Sequence, residues 1–283
     1  MNKQLLYQNK KIYYRITGRG KPVILVHGFG EEAEVWNNQA SSNSPQGGGL
    51  ASTQSQLNQH SLLSEKFKFI IPDLPGTGQS EMIDDMSMEG MAEVIYKIIH
   101  NENIERCAII GHSMGGYIAL AFAEKYPGNL SALGLFHSSA FADSEEKKDT
   151  RRKGIEFIQQ HGAFEFLKTA TPNLFSPLTK HQKPELINEQ IATLDNFLPT
   201  ALVSYYGSMM QRPDRTDILR KATVPVLFIM GKYDVAVPVE DSLKQCHLPG
   251  KSYIHIFHQS GHMGMLEEPG KTNLVLEKFL LDI

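Results

Sequence analysis

The sequence predicts an α/β fold with a mostly parallel, doubly wound central sheet and an inserted helical cap. Three observations support this class. First, six short apolar runs end at loops, as strands do when helices cover both faces of a sheet. Second, helical patterns separate most of these runs. Third, residues 139–220 contain helical patterns and no strand-like run. The six runs are 22–28, 67–74, 106–112, 133–138, 224–231 and 252–258.

The first elements are predicted from local patterns. The N-terminal stretch MNKQLLYQNKKIYYRITG lacks the apolar core of a secretory signal and is typical of two short strands around a turn. Residues 87–103 place their apolar side chains on one helical face, with Ser87 in the N-cap position. A second helical pattern, 117–129, is predicted to stop at Pro127-Gly128.

We expect two structural units. Residues 1–138 and 221–283 would form the core, and residues 139–220 would form a helical cap inserted between two strands of that core. The clearest helical segments of the cap are 154–170 and 185–198. The chain would then return to the sheet with its last two strands.

Residues 41–60 interrupt the predicted core with a polar stretch that contains three consecutive glycines. This composition is typical of a flexible linker. Without the stretch, Trp36, Leu63 and Phe67 fall at near-helical spacing. We therefore expect an insertion into one helix, or just after the first turns of that helix.

Composition and charge exclude several classes of protein. The 283 residues suffice for one large domain, and 41% of them are hydrophobic. A formal net charge of −3 gives no electrostatic reason to expect nucleic acid or an anionic membrane as a partner. No apolar run reaches the roughly 18 residues of a membrane span. The two cysteines do not resemble a disulfide framework. We expect a cytoplasmic protein that acts on a small molecule, with no nucleic-acid partner, no stable membrane association, no metal and no cofactor.

The stretch IIGHSMGG places Ser113, preceded by His112, between a predicted strand and a predicted helix. A nucleophilic serine in this position needs a sharp, strained turn, and Gly111, Gly115 and Gly116 would keep side chains out of the junction. The helix would also direct its free N–H groups toward a developing oxyanion. The same pattern fits an inert serine in a glycine-rich turn, so the prediction depends on partners elsewhere in the chain.

Two other residues are predicted to activate Ser113. A serine hydroxyl is a weak nucleophile until a base accepts its proton. His262, in the loop after the last strand, is the best candidate for that base. Asp234, directly after the preceding strand, would fix the tautomer of His262 and stabilise its cation. Asp143 is the alternative acid, although its charged run ADSEEKKD favours a solvated position.

A tetrahedral oxyanion needs two N–H donors. The backbone of Met114, the residue after the serine, would supply one of them. Phe29 in the loop HGFG would supply the other, since Gly28 and Gly30 let the backbone turn its N–H toward the site. His27 is then expected to anchor this loop rather than to act as a base.

Two further patterns favour ordinary explanations. His255, His258 and His262 could suggest a metal site, but residues 255 and 258 point to opposite faces of a strand. The predicted cap is rich in aromatic residues and methionine, which could line an apolar pocket. Packing of the cap against itself is the stronger interpretation. These residues are Phe157, Phe164, Phe166, Phe175, Phe197, Tyr205, Tyr206, Met209 and Met210.

Five motifs together resemble the α/β-hydrolase-fold serine hydrolases in order and in spacing. The match extends over nearly the whole chain, and its order of serine, aspartate and histidine is the order of that family. The insertion at 41–60 departs from the family pattern but displaces none of the motifs. The motifs are HGFG (27–30), PDLPGTGQS (72–80), GHSMGG (111–116), GKYD (231–234) and SGHM (260–263).

The resemblance implies a serine hydrolase that cleaves a small carboxylic ester through a Ser-His-Asp triad and an acyl-enzyme. A C–C bond hydrolase, a thioesterase, a lactonase or an amidase would use the same residues. A serine at this position argues against the haloalkane dehalogenases and epoxide hydrolases of the same fold, which place an aspartate there. A protein of another class, a small-molecule sensor that keeps the triad and acts by binding, is the remaining alternative.

Overall fold

Eight strands form one central sheet in the part of the chain that the computed structural model describes, residues 1–40 and 63–283. Their order across the sheet is β1-β2-β4-β3-β5-β6-β7-β8. β1 pairs antiparallel with β2, and β2 pairs antiparallel with β4, whereas all other neighbours are parallel. The strands are β1 Asn2–Tyr7, β2 Lys10–Gly18, β3 Lys21–Val26, β4 Phe67–Pro72, β5 Cys107–His112, β6 Leu130–Phe136, β7 Val226–Gly231 and β8 Ser252–Phe257.

Helices connect the strands and cover the sheet. None of those in the described ranges is long and apolar enough to cross a membrane. Before β6 they are α1 Asn37–Ala40, α2 Leu63–Lys66, α3 Met88–Asn101 and α4 Met114–Lys125. Between β6 and β7 they are α5 Glu145–His161, α6 Ala163–Ala170, α7 Pro177–Gln182, α8 Pro184–Ala192, α9 Pro199–Gln211 and α10 Thr216–Arg220. The last ones are α11 Val239–Leu243, α12 Gly264–Glu267 and α13 Pro269–Leu281.

Alternate side chains of the strands enter two separate hydrophobic cores. In β3, Ile24 and Val26 contact one core, and Val23 and Leu25 contact the other. Successive side chains of a strand point to opposite faces, so each core lies against one face of the sheet. The first core contains buried residues of α3 and α4, and the second contains buried residues of α13. Both faces are therefore covered, which confirms the predicted α/β class with a mostly parallel sheet.

Local sequence signals account for the helix ends. The side chain of Ser87 accepts a hydrogen bond from the N–H of Gly90 at 3.0 Å, so it caps α3 as predicted. The second predicted helix begins earlier than its pattern indicated, at Met114. It ends at Lys125, and a separate 3₁₀ turn follows at Pro127–Asn129.

Residues 139–220, here called the helical segment, contain helices and no strand. The division of the chain into a core and a cap stays a prediction. The predicted insertion, 41–60, lies outside the described residues. Trp36 and Leu63, on either side of it, are buried in the same core. Phe67 opens β4 and does not continue a helix, so the near-helical spacing that included it is wrong.

Five neighbouring parallel strands end at one edge of the sheet. These strands are β3, β5, β6, β7 and β8, and the carboxyl ends of parallel strands are where α/β proteins bind their ligands. The residues that follow them are therefore brought together although they are far apart in sequence. They are the HGFG loop after β3, Ser113 after β5, His137 after β6, Asp234 after β7 and His262 after β8.

The junction between β5 and α4 has no space for side chains at two glycines. A Cβ atom on Gly111 would lie 2.2 Å from the carbonyl oxygen of Gly115. A Cβ atom on Gly115 would lie 2.4 Å from the carbonyl oxygen of Val26 in β3. Both distances are too short for real atoms, so the close approach of α4 to the sheet depends on glycine.

Gly115→Ala is expected to lower the free energy of unfolding by about 1–3 kcal/mol, because backbone atoms must shift to admit the methyl group. Urea denaturation of the purified protein measures this loss. Gly128→Ala is the matched control, since a Cβ there would meet nothing within 4 Å. We expect the control to stay within about 0.5 kcal/mol of wild type. Equal effects of the two substitutions would contradict this account of the junction.

Candidate active site

Ser113 occupies a strained turn between β5 and α4. Its backbone has φ 51° and ψ −116°, a conformation that residues other than glycine rarely adopt and that is concentrated at functional sites. The N–H of Ser113 donates to the carbonyl of Phe136 at 2.9 Å. Its own carbonyl accepts from Oγ of Ser138 at 2.7 Å and from the N–H of Gly116 at 3.0 Å. These bonds fix the turn while the serine side chain faces a cavity.

Asp234 and His262 form a buried hydrogen-bonded pair. Nδ1 of His262 donates to Oδ2 of Asp234 at 2.7 Å. The other carboxylate oxygen, Oδ1, accepts from the N–H groups of Ala236 and Val237 at 2.9 and 2.8 Å. A carboxylate only accepts hydrogen bonds, so Nδ1 of His262 carries the proton. In the neutral ring Nε2 is then free to accept a proton.

The electrostatics of the pair favour an ionised aspartate and a basic histidine. Burial raises the pKa of Asp234, but the charge of His262 and the hydrogen bonds from His137 and His262 outweigh burial and hold that pKa well below its usual value. Burial lowers the pKa of His262, but the charge and hydrogen bond of Asp234, with further contributions from Glu31 and Glu267, outweigh it and raise that pKa above 6.5. The ring is therefore a stronger base than an ordinary histidine.

The HGFG loop packs directly against Ser113. A Cβ atom on Gly28 would lie 3.1 Å from Cβ of Ser113, so the two backbones are in close contact. Gly30 has φ +68°, a conformation that favours glycine. Within residues 1–40 and 63–283, no acceptor pairs with the N–H of Phe29 or of Met114. Both N–H groups are available to an oxyanion.

His27 anchors this loop through both of its ring nitrogens. The N–H of Leu74 donates to Nε2 at 3.0 Å, and Nδ1 donates to the carbonyl of Gly28 at 2.9 Å. The ring is buried. His27 therefore connects the end of β3 to the loop that follows β4, away from the serine hydroxyl.

Glu31 ties three loops together, and the sequence patterns did not identify it. Its Oε2 accepts from the N–H of Gly28 at 2.6 Å and from Nδ1 of His112 at 2.9 Å. Nε2 of His112 contacts the carbonyl oxygen of His262 at 2.9 Å. The acidic pair Glu31-Glu32 directly after HGFG was the only signal in the sequence, and it gave no indication of burial.

Glu267 holds the loop of His262 to the helical segment. Oε1 of Glu267 accepts from the N–H of Gly261 at 2.7 Å. Oε2 accepts from the N–H of Ser176 at 2.8 Å and from Oγ1 of Thr179 at 2.6 Å. The backbone N–H of His262 donates to the carbonyl of Leu174 at 2.6 Å. The position of His262 therefore depends on residues 174–179 of the helical segment.

A third histidine, His137, contacts the same aspartate. Its Nδ1 lies 3.1 Å from Oδ2 of Asp234. The run LGLFHS was interpreted only as a strand, although its last residues lie at the same edge of the sheet as the serine. In the described part of the chain, His137, Asp234 and His262 form the one group of side chains whose ligand atoms, all within 4.8 Å of one another, could hold a metal ion. His255 and His258 do not belong to that group, as predicted.

Ser113 and His262 line a cavity of about 540 Å³. The ring of Phe29 stacks on that of Tyr206 with centroids 4.3 Å apart. Of the aromatic and methionine residues singled out in the helical segment, Phe166, Tyr206 and Met209 line the cavity. Others are buried in packing, so both interpretations apply in part: Phe175, Phe197 and Tyr205 are buried.

Asp143 does not have the solvated position that its charged run indicated. It is only 5% exposed, and its carboxylate pairs with Nε of Arg151 at 2.6 Å and with a guanidinium nitrogen of Arg212 at 2.9 Å. Burial raises its pKa, but the hydrogen bonds and charges of the two arginines outweigh burial and lower it. The carboxylate is thus engaged by arginines rather than by a histidine.

Known proteins with similar sequences and structures are hydrolases. A thermophilic esterase from Thermogutta terrifontis is 26% identical with a TM-score of 0.84, covering 100% of this chain and 98% of its own. A 2-hydroxy-6-oxononadienedioate/2-hydroxy-6-oxononatrienedioate hydrolase of Paraburkholderia phymatum is 26% identical over 280 residues, 95% of this chain and 91% of its own. An enol-lactonase from Burkholderia xenovorans shares the fold, with a TM-score of 0.84 at 17% identity, over 99% of this chain and 100% of its own.

The family model of the alpha/beta hydrolase fold matches residues 21–269, which include all eight-stranded-sheet elements from β3 onward and every residue of the site described above. The chain therefore belongs to the alpha/beta hydrolase family of enzymes.

Proposed function

We propose that this hydrolase cleaves carboxylic esters with Ser113 as the nucleophile, His262 as the general base and Asp234 as the group that orients His262. The observation that supports this most strongly is the arrangement at the cavity. A serine in a strained turn lines the same cavity as a histidine whose Nδ1 is bonded to a buried carboxylate. Nucleophile, base and acid of this kind are the components of acyl transfer to serine.

In the proposed reaction, Nε2 of His262 takes the proton of Ser113 Oγ as that oxygen attacks the ester carbonyl. The N–H groups of Phe29 and Met114 stabilise the resulting oxyanion. The intermediate collapses when His262 gives the proton to the leaving alcohol, which leaves an acyl-enzyme. Water, deprotonated by the same histidine, then releases the acid and restores Ser113.

We infer that the helical segment covers this site as a cap. The segment supplies Phe166, Tyr206 and Met209 to the cavity wall, opposite the loops that carry Ser113 and His262. An enclosed, largely aromatic wall suits an ester with an apolar acyl or alcohol group. A small-molecule substrate therefore fits this cavity best.

A second candidate reaction is hydrolysis of a C–C bond. The relative from Paraburkholderia phymatum, named for such a reaction, matches 95% of this chain. The same serine, histidine and aspartate would serve, so the substrate decides between the two reactions. Assaying p-nitrophenyl esters beside 2-hydroxy-6-oxo-6-phenylhexa-2,4-dienoate separates them, and a higher kcat/KM for the dienoate would replace the ester proposal.

Ser113→Ala is expected to lower kcat for p-nitrophenyl esters by about 10⁴-fold or more, because no other group can form the acyl-enzyme. A panel of esters with rising acyl chain length, followed at 405 nm with steady multiple turnover, provides the measurement. Ser131→Ala, near the start of β6 and away from the carboxyl edge, serves as the matched control and should keep wild-type rates. Unchanged activity of Ser113→Ala would exclude the mechanism. A single turnover by wild type would favour a sensor.

The pH dependence of kcat/KM follows from the raised pKa of His262. The base works only when unprotonated, so activity should fall as pH drops through a midpoint above 6.5. Asp234→Asn removes the negative charge that raises this pKa, and its midpoint should lie at a lower pH. Its kcat should also fall by about 10⁴-fold, since the ring loses the partner that fixes its tautomer. A midpoint that stays in place in Asp234→Asn would contradict the pairing as the cause.

A further inference from the structure

We propose that His137 is a positioning residue of this enzyme: the hydrogen bond from its ring holds the carboxylate of Asp234 in the orientation that His262 requires. This inference rests on the proposed function of Asp234 and His262. Neither the family motifs nor the relatives' names assign a role to His137.

The first observation is that two histidines share one carboxylate oxygen. Oδ2 of Asp234 is 2.7 Å from Nδ1 of His262 and 3.1 Å from Nδ1 of His137. The side chains of His137 and Asp234 are fully buried. Because the carboxylate can only accept, the proton of His137 lies on Nδ1, and the ring donates to Asp234.

The second observation is backbone strain at a buried residue. His137 has φ +48°, and its N–H donates to the carbonyl of Ile229 in β7 at 2.8 Å. The residue therefore keeps its pairing with β7 in a conformation that ordinary side chains avoid. Strain of this kind persists where the surrounding structure fixes it, and it is concentrated at functional sites.

The third observation is the space that the protein leaves for this ring. A Cβ atom on Gly231 would lie 2.8 Å from Cε1 of His137, and one on Gly264 would lie 2.5 Å from its Nε2. Nε2 is buried with no hydrogen-bond partner among the described residues. An apolar side chain would fill the same space without leaving a polar atom unsatisfied. The feature that distinguishes histidine here is its bond to Asp234.

Burial keeps His137 neutral. It lowers the pKa of His137 to about 4, although the hydrogen bond and charge of Asp234 act in the opposite direction. The ring therefore stays a hydrogen-bond donor at Nδ1 throughout the neutral pH range and does not compete with His262 as a base. Its charge does not change when His262 gains a proton.

This bond has two consequences for His262. The N–H groups of Ala236 and Val237 hold Oδ1 of Asp234, and His137 holds Oδ2, so the plane of the carboxylate is fixed independently of His262. The donated hydrogen bond also makes the carboxylate less basic, so it raises the pKa of His262 less than an otherwise unbonded oxygen would. The other groups facing His262 are the ring of His112, with centroids 4.8 Å apart, and the carboxylates of Glu31 and Glu267.

Two variants of His137 separate the hydrogen bond from simple packing. His137→Leu removes the donor. His137→Asn retains it, because Nδ2 of asparagine and Nδ1 of histidine are both bonded to Cγ. His255→Leu, a half-buried position in β8 outside the site, is the control. Each variant is assayed for kcat and KM with p-nitrophenyl acetate, and for the pH dependence of Ser113 labelling by a fluorophosphonate.

For His137→Leu we expect kcat to fall about 10–100-fold with little change in KM, the size of effect that a lost partner of a functional side chain produces. The acid midpoint of labelling should rise by about half a pH unit. His137→Asn should restore most of both, and His255→Leu should match wild type. A folded His137→Leu with wild-type kcat and midpoint would overturn the inference. So would equal losses in the leucine and asparagine variants, since packing alone would explain them.

Nuclear magnetic resonance of ¹⁵N-histidine-labelled wild type tests the inference even if His137→Leu does not fold. The ring of His137 should remain the neutral Nδ1–H tautomer from pH 5.5 to 9. A ring protonated at Nε2, or one that titrates near pH 6.5, would overturn it. Failure of the proposed function is distinguishable, because ester hydrolysis would then persist in Ser113→Ala whatever the state of His137.

Discussion

An ionised carboxylate buried away from water is costly unless hydrogen bonds replace its hydration, and this requirement organises the end of β7. Asp234 accepts four hydrogen bonds, from the rings of His137 and His262 and from the N–H groups of Ala236 and Val237. The four donors come from three stretches of chain, after β6, β7 and β8. Satisfying one carboxylate therefore fixes three loops relative to one another.

Two other buried carboxylates act in the same way around it. Glu31 connects the HGFG loop to His112, and through His112 to the backbone of His262. Glu267 connects the loop of His262 to the helical segment. Together the three acids bind every loop that contributes to the candidate site. The precision of the site is thus a result of buried hydrogen bonds between loops rather than of the loops' own conformations.

Local signals explain what could be predicted from the sequence. Apolar runs and glycine spacing are properties of neighbouring residues, so the strands, the turn at Ser113 and the positions of Asp234 and His262 were accessible. His137 and Glu31 were not, because their partners lie 97 and 81 residues away. Asp143 illustrates the opposite error. Its charged neighbours indicated solvent, whereas Arg212, far along the chain, pairs with it in the interior.

The stacking of Phe29 on Tyr206 has a consequence for how such an enzyme could acquire a new specificity. The ring belongs to the residue whose N–H faces the oxyanion, and Tyr206 belongs to the helical segment. The backbone of His262 is likewise bonded to Leu174 of that segment. The part of the chain that shapes the cavity is thus also part of the support for the reacting groups. Exchange of the whole segment between relatives would disturb both, and single substitutions in the cavity wall are the route that leaves the chemistry intact.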